Sequence, residues 1–344
     1  MILRYFKGSF LVTFAGLGLG AFLGWEATGT LAGALSTTFI VFVLGILEVS
    51  LSFDNAVVNA TVLKEMDLVW RRRFITWGIA IAVFGMRIVF PLAIVAIIAR
   101  IDPWSALVMA ATDPEEYSRV LTSAHVSVSA FGGAFLAMVG FKHFFDHEKD
   151  VHWIEMIEQP LTKLGRIEAV GLGFCMIILI GVAMYLPDHE KVEFLEAGMW
   201  GLIVYIVVDG ISAVLDAESA ASGEVTRSGA AAFLYLEVLD ASFSFDGVIG
   251  AFALSNNLFI IAIGLGIGAM FVRSLTIMLV EQETLASYRY LEHGAFYAII
   301  ALGVIMFLKT IVHVPEVVTG LIGAGFIIFA FLDSIRYNRK HPTV

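Results

Sequence analysis

Two short segments of this 344-residue chain carry most of its chemistry. Residues 48–58 read EVSLSFDNAVV and residues 240–250 read DASFSFDGVIG, so an acid, two serines, a phenylalanine and an aspartate recur without a gap. That register sets Glu48 opposite Asp240, Ser52 opposite Ser244, and Asp54 opposite Asp246. Glu237 adds a further acid three residues before Asp240, on the same face of a helix. All of these lie in strongly apolar sequence. A carboxylate at the centre of a membrane helix costs about 2.5–3.5 kcal/mol on insertion scales, so four without partners would cost on the order of 10–14 kcal/mol. Each motif is followed by a second matched segment, GIAIAVFGMR at 78–87 and GLGIGAMFVR at 264–273, that ends on an arginine. Arg87 and Arg273 can therefore act as counter-charges for two of the acids and leave about two for a cation. Neither histidine nor cysteine belongs to the repeated motif. Carboxylates, the Asn55 amide, and the Ser52 and Ser244 hydroxyls form an all-oxygen set, suited to Mg²⁺, Ca²⁺ or Mn²⁺ rather than to Zn²⁺ or copper.

The spacing also bears on the backbone. On an unbroken helix, residues six apart are turned by about 240°, so Glu48 and Asp54 would face different directions. Serines can bond their own backbone and loosen a turn, and Asp-Asn and Asp-Gly tolerate non-helical geometry. Both motif helices are therefore expected to break at the motif.

The elements that must hold these residues follow from composition. The chain is 59% apolar and 15% charged, with a mean hydropathy of +0.88. A soluble domain carries about 25% charged residues. This is the composition of an integral membrane protein, whose main partner is the lipid bilayer. The net charge of −10 argues against a nucleic-acid partner, and the single cysteine, Cys175, excludes disulfides within the chain. About ten apolar stretches reach the length a bilayer requires. They lie near 8–25, 34–64, 74–99, 124–141, 169–186, 197–215, 230–255, 258–280, 294–312 and 317–335. The expected fold class is an all-α polytopic membrane protein. The first stretch is read as a retained helix and not a signal peptide, because Ala32, Gly33 and Ala34 come late and merge into the next stretch.

Orientation follows from lysine and arginine in short loops. With the N-terminus inside, Arg4, Lys7, Arg71, Arg72, Arg73, Lys142, Lys149, Arg336 and Arg339 fall on the cytoplasmic side, whereas the outer loops at 101–122 and 187–196 are acidic. Both termini are then cytoplasmic. The two motifs start in stretches an odd number of helices apart and enter the membrane from opposite sides. This is an inverted-topology repeat, an architecture of secondary transporters with a site at the midplane. The chain divides into an N-terminal helix (1–33), a first three-helix repeat (34–145), a cytoplasmic loop with two connecting helices (146–229), a second repeat (230–315) and a C-terminal helix and tail (316–344).

The motifs resemble those of the TerC-type membrane proteins, and more closely a bacterial branch once labelled a domain of unknown function, within the LysE-type transporter superfamily. An acid followed by Leu-Ser-x-Asp-Asn matches Glu48, Leu51, Ser52, Asp54 and Asn55. Glu-x-x-Asp-x-x-Phe-Ser-x-Asp-Ser matches Glu237, Asp240, Phe243, Ser244 and Asp246, with Gly247 in place of the usual serine. The resemblance implies export of a divalent metal ion, Mn²⁺ foremost, from the bacterial cytoplasm across the inner membrane, with Glu48, Asp54, Asn55, Glu237, Asp240 and Asp246 as metal ligands. It implies no prosthetic group and no enzymatic activity, and it is compatible with a homo-oligomer.

Three rival functions fit these residues less well. An intramembrane aspartyl protease needs two aspartates sharing one proton, but no Gly-x-Gly-Asp surrounds either candidate. A lipid-headgroup transferase built on Asp209-Gly210 and Asp216 lacks the further aspartates expected there. An amino-acid-type exporter fits a cluster with more than two net acids less well than a small cation does. Outside the repeats, Asp209 is a candidate proton relay or a kinked-helix cap, and Asp333 with Arg336 reads as an interfacial pair. His143 and His147 would share a helix face if the fourth span continued past the membrane, with His152 nearby. This loop reads as a solvated segment or a weak metal-capture site.

Overall fold

The computed structural model describes residues 2–167, 169–221, 229–282 and 284–341. They form helices, with no β-strand among the described residues. Helix α1 (Ile2–Thr28) turns back at Gly29, whose φ of +64° suits a residue without Cβ. Helix α2 (Leu31–Leu51) starts where Thr30 Oγ1 accepts from the Gly33 N–H at 3.1 Å. Helix α3 (Phe53–Glu65) completes the second apolar stretch. The third is α4 (Leu68–Ala80), a π-helix (Ile81–Val89) and α5 (Phe90–Ala99). Then come two short helices, α6 (Pro103–Thr112) and α7 (Pro114–Ser123), and the long α8 (His125–Phe144). Helix α9 (Glu155–Leu164) leads to the connecting pair α10 (Val170–Ala183) and α11 (Asp188–Ala221). The second half comprises α12 (Gly229–Phe252), α13 (Leu258–Glu281), the single turn α14 (Thr284–Ser287), α15 (Leu291–Lys309) and α16 (Glu316–Lys340).

The chain is an all-α, multi-pass membrane protein. Among the described residues, eight helical segments are long and apolar enough to cross a bilayer: α1, α2, the π-helix with α5, α8, α11, α13, α15 and α16. The remaining two expected spans are weaker for identifiable reasons. Helix α10 has 14 residues, and α12, at 24 residues, carries Glu237, Asp240 and Asp246. The acidic loop at 101–122 is not open chain. Asp102 and Asp113 cap α6 and α7 by accepting from backbone N–H groups, with Pro103 and Pro114 just inside each helix.

Packing between the two halves is reciprocal. Helix α2 of the first half lies against α13 of the second, α12 lies against α4 and the π-helix, and α8 lies against α15. Glycines permit the closest crossing. A Cβ on Gly264 would sit 3.1 Å from the Val41 carbonyl, and one on Gly268 would meet the Glu48 side chain and stand 2.9 Å from the Gly45 carbonyl. Small residues bring membrane helices together in this way, and here they press Glu48 into the interior. Helix α1 belongs to the same bundle: Ser9 Oγ donates to the Met270 carbonyl at 2.8 Å and lies 2.8 Å from Ser274 Oγ.

Apolar interior residues fall into a large cluster between α3, α8, α12, α13 and α15, including Phe135, Leu239, Phe243 and Met306. A second cluster joins α5, α6 and α7 to the end of α12 and start of α13, around Tyr117, Val248 and Leu258. Large apolar side chains on the outside, such as Phe14, Phe39, Ile97 and Phe329, are well exposed. That is the reverse of a soluble protein's pattern and fits lipid as the outer solvent.

Candidate functional site

The first motif breaks its helix as expected, at one residue. Ser52 has φ −108° and ψ 18° and serves as the last cap of α2 and the first cap of α3. Its N–H reaches the Glu48 carbonyl at 2.9 Å, and its Oγ donates to Glu48 Oε1 at 3.1 Å. Asp54 then lies in the first turn of α3, where a carboxylate meets the positive end of the helix dipole. Its Oδ1 accepts from the Asn55 N–H at 3.0 Å.

The second motif corrects the expectation: α12 runs through residues 240–246 without a break. The side chains at the first acid differ by one methylene group. Glu48 is long enough for its carboxylate to capture the hydroxyl one turn ahead, while Asp240 is shorter and Ser244 Oγ has no hydrogen-bond partner. Ser242 donates back to the Val238 carbonyl at 3.0 Å, as its counterpart Ser50 does to the Ile46 carbonyl at 2.9 Å, so this bond is common to both motifs.

Arg87 joins the two motifs. It leaves the π-helix, in which the Phe90 N–H reaches back five residues to the Gly85 carbonyl. Pro91, just beyond, has no N–H to offer the preceding turn and disfavours a regular helix there. Buried at 4% exposure, Arg87 binds Glu48 through Nη2 and the Ala82 carbonyl through Nη1 at 2.8 Å. The same Nη1 stands 3.9 Å from Asp240 Oδ2. One guanidinium thus bridges an acid from each repeat.

Arg273, the sequence counterpart of Arg87, is placed differently. Its Cζ lies 3.5 Å from the centre of the Phe74 ring, a cation–π contact, and its Nε and Nη2 have no hydrogen-bond partner. The negative charges of Asp240 and Glu237 act on it. Glu237 Oε1 is also unpartnered. Gly78 lets α4 come close: a Cβ there would collide with Arg273 Nη2 and stand 3.1 Å from Glu237 Oε1.

Between these groups is a polar void of about 20 Å³, lined by Ser52, Asn55, Asn59, Arg87, Asp240 and Arg273 among others. That is room for one water-sized body. Asn55 Oδ1 and Asn59 Oδ1 are buried without partners at its wall. Asn59 was not singled out from sequence, though its position one turn after Asn55 was a visible sign. Asp54 faces elsewhere, towards α16, where a Cβ on Gly323 would stand 2.8 Å from its Oδ2. The side chain of Asp246 lies outside the described residues. A Cβ at Gly247 would be 3.1 Å from Glu48 Oε2, so a serine there would add its hydroxyl beside Glu48.

Among the described residues, no three histidine, cysteine or acidic side chains are gathered as a metal cage. The physical reason at this site is the arginine: a guanidinium stands between Glu48 and Asp240, where a cation shared by the two carboxylates would stand.

The remaining candidates fall outside this cluster. Asp209 pairs with Lys142, and Asp333 pairs with Arg336 at 2.8 Å while accepting from Trp153 Nε1 at 3.1 Å. His143 and His147 do not share a helix face, because α8 stops at Phe144. His143 instead stacks on Phe296, 3.8 Å between ring centres, and His147 is exposed.

The loop that follows is organised by Glu158, which sequence reasoning missed. Its carboxylate is wholly buried and accepts from Lys149 Nζ at 2.9 Å and from the Trp153 and Ile154 N–H groups at 3.1 Å. Burial opposes the charged form, yet these donors outweigh it and hold the carboxyl below its ordinary 4.5. Its stabilising effect is therefore complete above that value and is lost as pH falls below it. Glu158→Ala should lower stability at neutral pH by about 3–5 kcal/mol, as expected when one partner of a buried pair is removed. Thermal melts in detergent should show the deficit, and it should shrink as pH falls below 4.5.

Comparison with protein-family models matches residues 53–341 to one described as "Protein of unknown function (DUF475)". The match begins inside the first motif, so Asp54, Asp240 and both arginines fall within it while Glu48 precedes it. No curated protein and no solved structure matches the chain.

Proposed function

The chain belongs to the DUF475 family, whose description carries no activity, and we propose that it exports a divalent metal ion, Mn²⁺ foremost, from the bacterial cytoplasm. One observation carries the reading: Arg87 ties Glu48 of one repeat to Asp240 of the other, at a helix break beside a void walled by unpartnered oxygens. In a membrane interior such charges are costly unless they serve a path. A side-chain cation already occupies the place of a cargo cation, and displacing it would free an all-oxygen set suited to Mn²⁺. Glu48, Asp240 and Asp246 would be ligands, with Asn55 and Glu237 assisting, and Asp54 would join them by turning from α16 towards the void.

The reciprocal packing of the halves fits an inverted repeat, in which one repeat rocks against the other around a midplane site. In this reading both termini face the cytoplasm and the membrane is the bacterial inner membrane. The likeness of the paired motifs to TerC-type proteins supports the same cargo. A void of about 20 Å³ favours a single ion over an amino acid. Carboxylate ligands must lose their protons to bind metal, so inward proton flow would promote release and makes proton antiport the natural coupling. The pairing of Asp209 with Lys142, both near the end of the bundle, makes Asp209 a weaker relay candidate than the motif acids.

Purified protein in liposomes tests this directly. With a proton gradient imposed, Mn²⁺ should cross, and the flux should collapse when the gradient is dissipated. Transport of an amino acid without any divalent cation would overturn the reading.

A further inference from the structure

The two repeats carry near-identical motifs in non-identical conformations. In the first, the helix is broken at Ser52 and Glu48 is held by Ser52 Oγ and by Arg87. In the second, α12 is continuous, Ser244 Oγ is unpartnered, and Asp240 has Arg87 no nearer than 3.9 Å. The arginines differ in the same sense. Arg87 leaves a π-helix and has both terminal nitrogens engaged, its Nε alone being without a hydrogen-bond partner. Arg273 leaves a regular α-helix and lies on Phe74 with Nε and Nη2 idle, although Asp240 and Glu237 are close enough for their charges to act on it.

Buried donors without acceptors are rare in folded proteins and call for an explanation. Here the explanation is supplied by the other repeat, which shows what the same sequence pattern does when its arginine is engaged. Chain segments of like sequence can exchange conformations, and inverted repeats alternate by such an exchange.

We propose that Arg87 and Arg273 are alternating place-holders: in the opposite-facing state Arg273 leaves Phe74 to bind Asp240, Arg87 releases Glu48, and α12 opens at Ser244 as α2 does at Ser52. This rests on the transporter reading but not on the identity of the cargo. In either state one guanidinium binds one motif acid closely and the acid of the other repeat only at a distance, as Arg87 now stands 3.9 Å from Asp240. The repeat that offers the loosely held acid changes. Gly78 has a defined part, since a side chain there would occupy the space Arg273 Nη2 now uses.

The test needs a reporter that responds to the state of the void without metal. Asn59→Cys in a Cys175→Ala background puts a thiol at the void wall, and its rate of modification by a small charged thiosulfonate is read in inside-out vesicles with chelator present. Arg87→Gln removes the contact that holds the present state, and Arg273→Gln the one that would hold the other. The two should move the labelling rate in opposite directions, each by about tenfold or more, the shift produced when about 1.4 kcal/mol is taken from one state only. Arg87→Lys and Arg273→Lys, which keep the charge, should stay near the parent rate. If Arg87→Gln does not insert, the double variant with Glu48→Gln removes the pair without leaving a buried charge and should shift the rate in the same sense. Shifts in one common direction, or none, would overturn the exchange. Opposite shifts in a protein that fails to move Mn²⁺ would leave the exchange standing and remove the cargo assignment, while Mn²⁺ flux without the shifts would do the reverse.

Discussion

Asp54→Asn should abolish export while leaving the protein inserted. The substitution keeps the volume of the side chain and the hydrogen bond to the Asn55 N–H, but it removes the charge. Disturbing even a group that supports a metal ligand costs about 10–100-fold, and loss of a ligating carboxylate should exceed that. A strain lacking the protein, challenged with excess Mn²⁺, should be rescued by the wild type and not by Asp54→Asn. Asp246→Asn should behave the same way. Equal rescue by both variants would assign the aspartates to structure, and the exporter reading would then stand on motif likeness alone.

Arg87→Met should be the most destabilising single change in the site. Glu48 is 2% exposed and would lose its cationic partner in a low-dielectric interior, with Asp240 nearby adding repulsion. Breaking a buried ion pair from one side costs about 3–5 kcal/mol, whereas replacing both partners with apolar residues is often neutral. Denaturation in detergent should therefore show a large loss for Arg87→Met and substantial recovery for the double variant with Glu48→Met. A single variant as stable as the wild type would mean that the carboxylate of Glu48 does not need the arginine.

The legible parts of the molecule were those written in local pattern. Long apolar stretches marked the helices, and the repeat of EVSLSFDN in DASFSFDG set Glu48 opposite Asp240, the two acids that Arg87 joins. The break at Ser52 was readable because Ser, Asp and Asn loosen a helix in their own neighbourhood. The continuity of α12 was not, because the same serines and aspartate stand in both motifs, and the first acids, Glu48 and Asp240, differ only by one methylene. The π-helix escaped because its widened turn follows from what surrounds Arg87, with Pro91 the one visible hint. Phe74 beneath Arg273 and His293 beside Glu158 are contacts across long sequence separations, which periodicity and motif spacing do not encode. Asn59 is the exception that local reading should have caught.

The size of the void has a kinetic consequence. At about 20 Å³ it holds one small body and cannot admit an ion wrapped in its water. Any metal that reaches Arg87 must already have exchanged aqueous ligands for protein oxygens, one after another, on the way in. Mg²⁺ gives up its water reluctantly, and Ca²⁺ accepts irregular, flexible oxygen shells. Two ions that bind the same carboxylates equally well at equilibrium would then be carried at different speeds. Discrimination at this site would be set by how fast a metal undresses as much as by how tightly it is held.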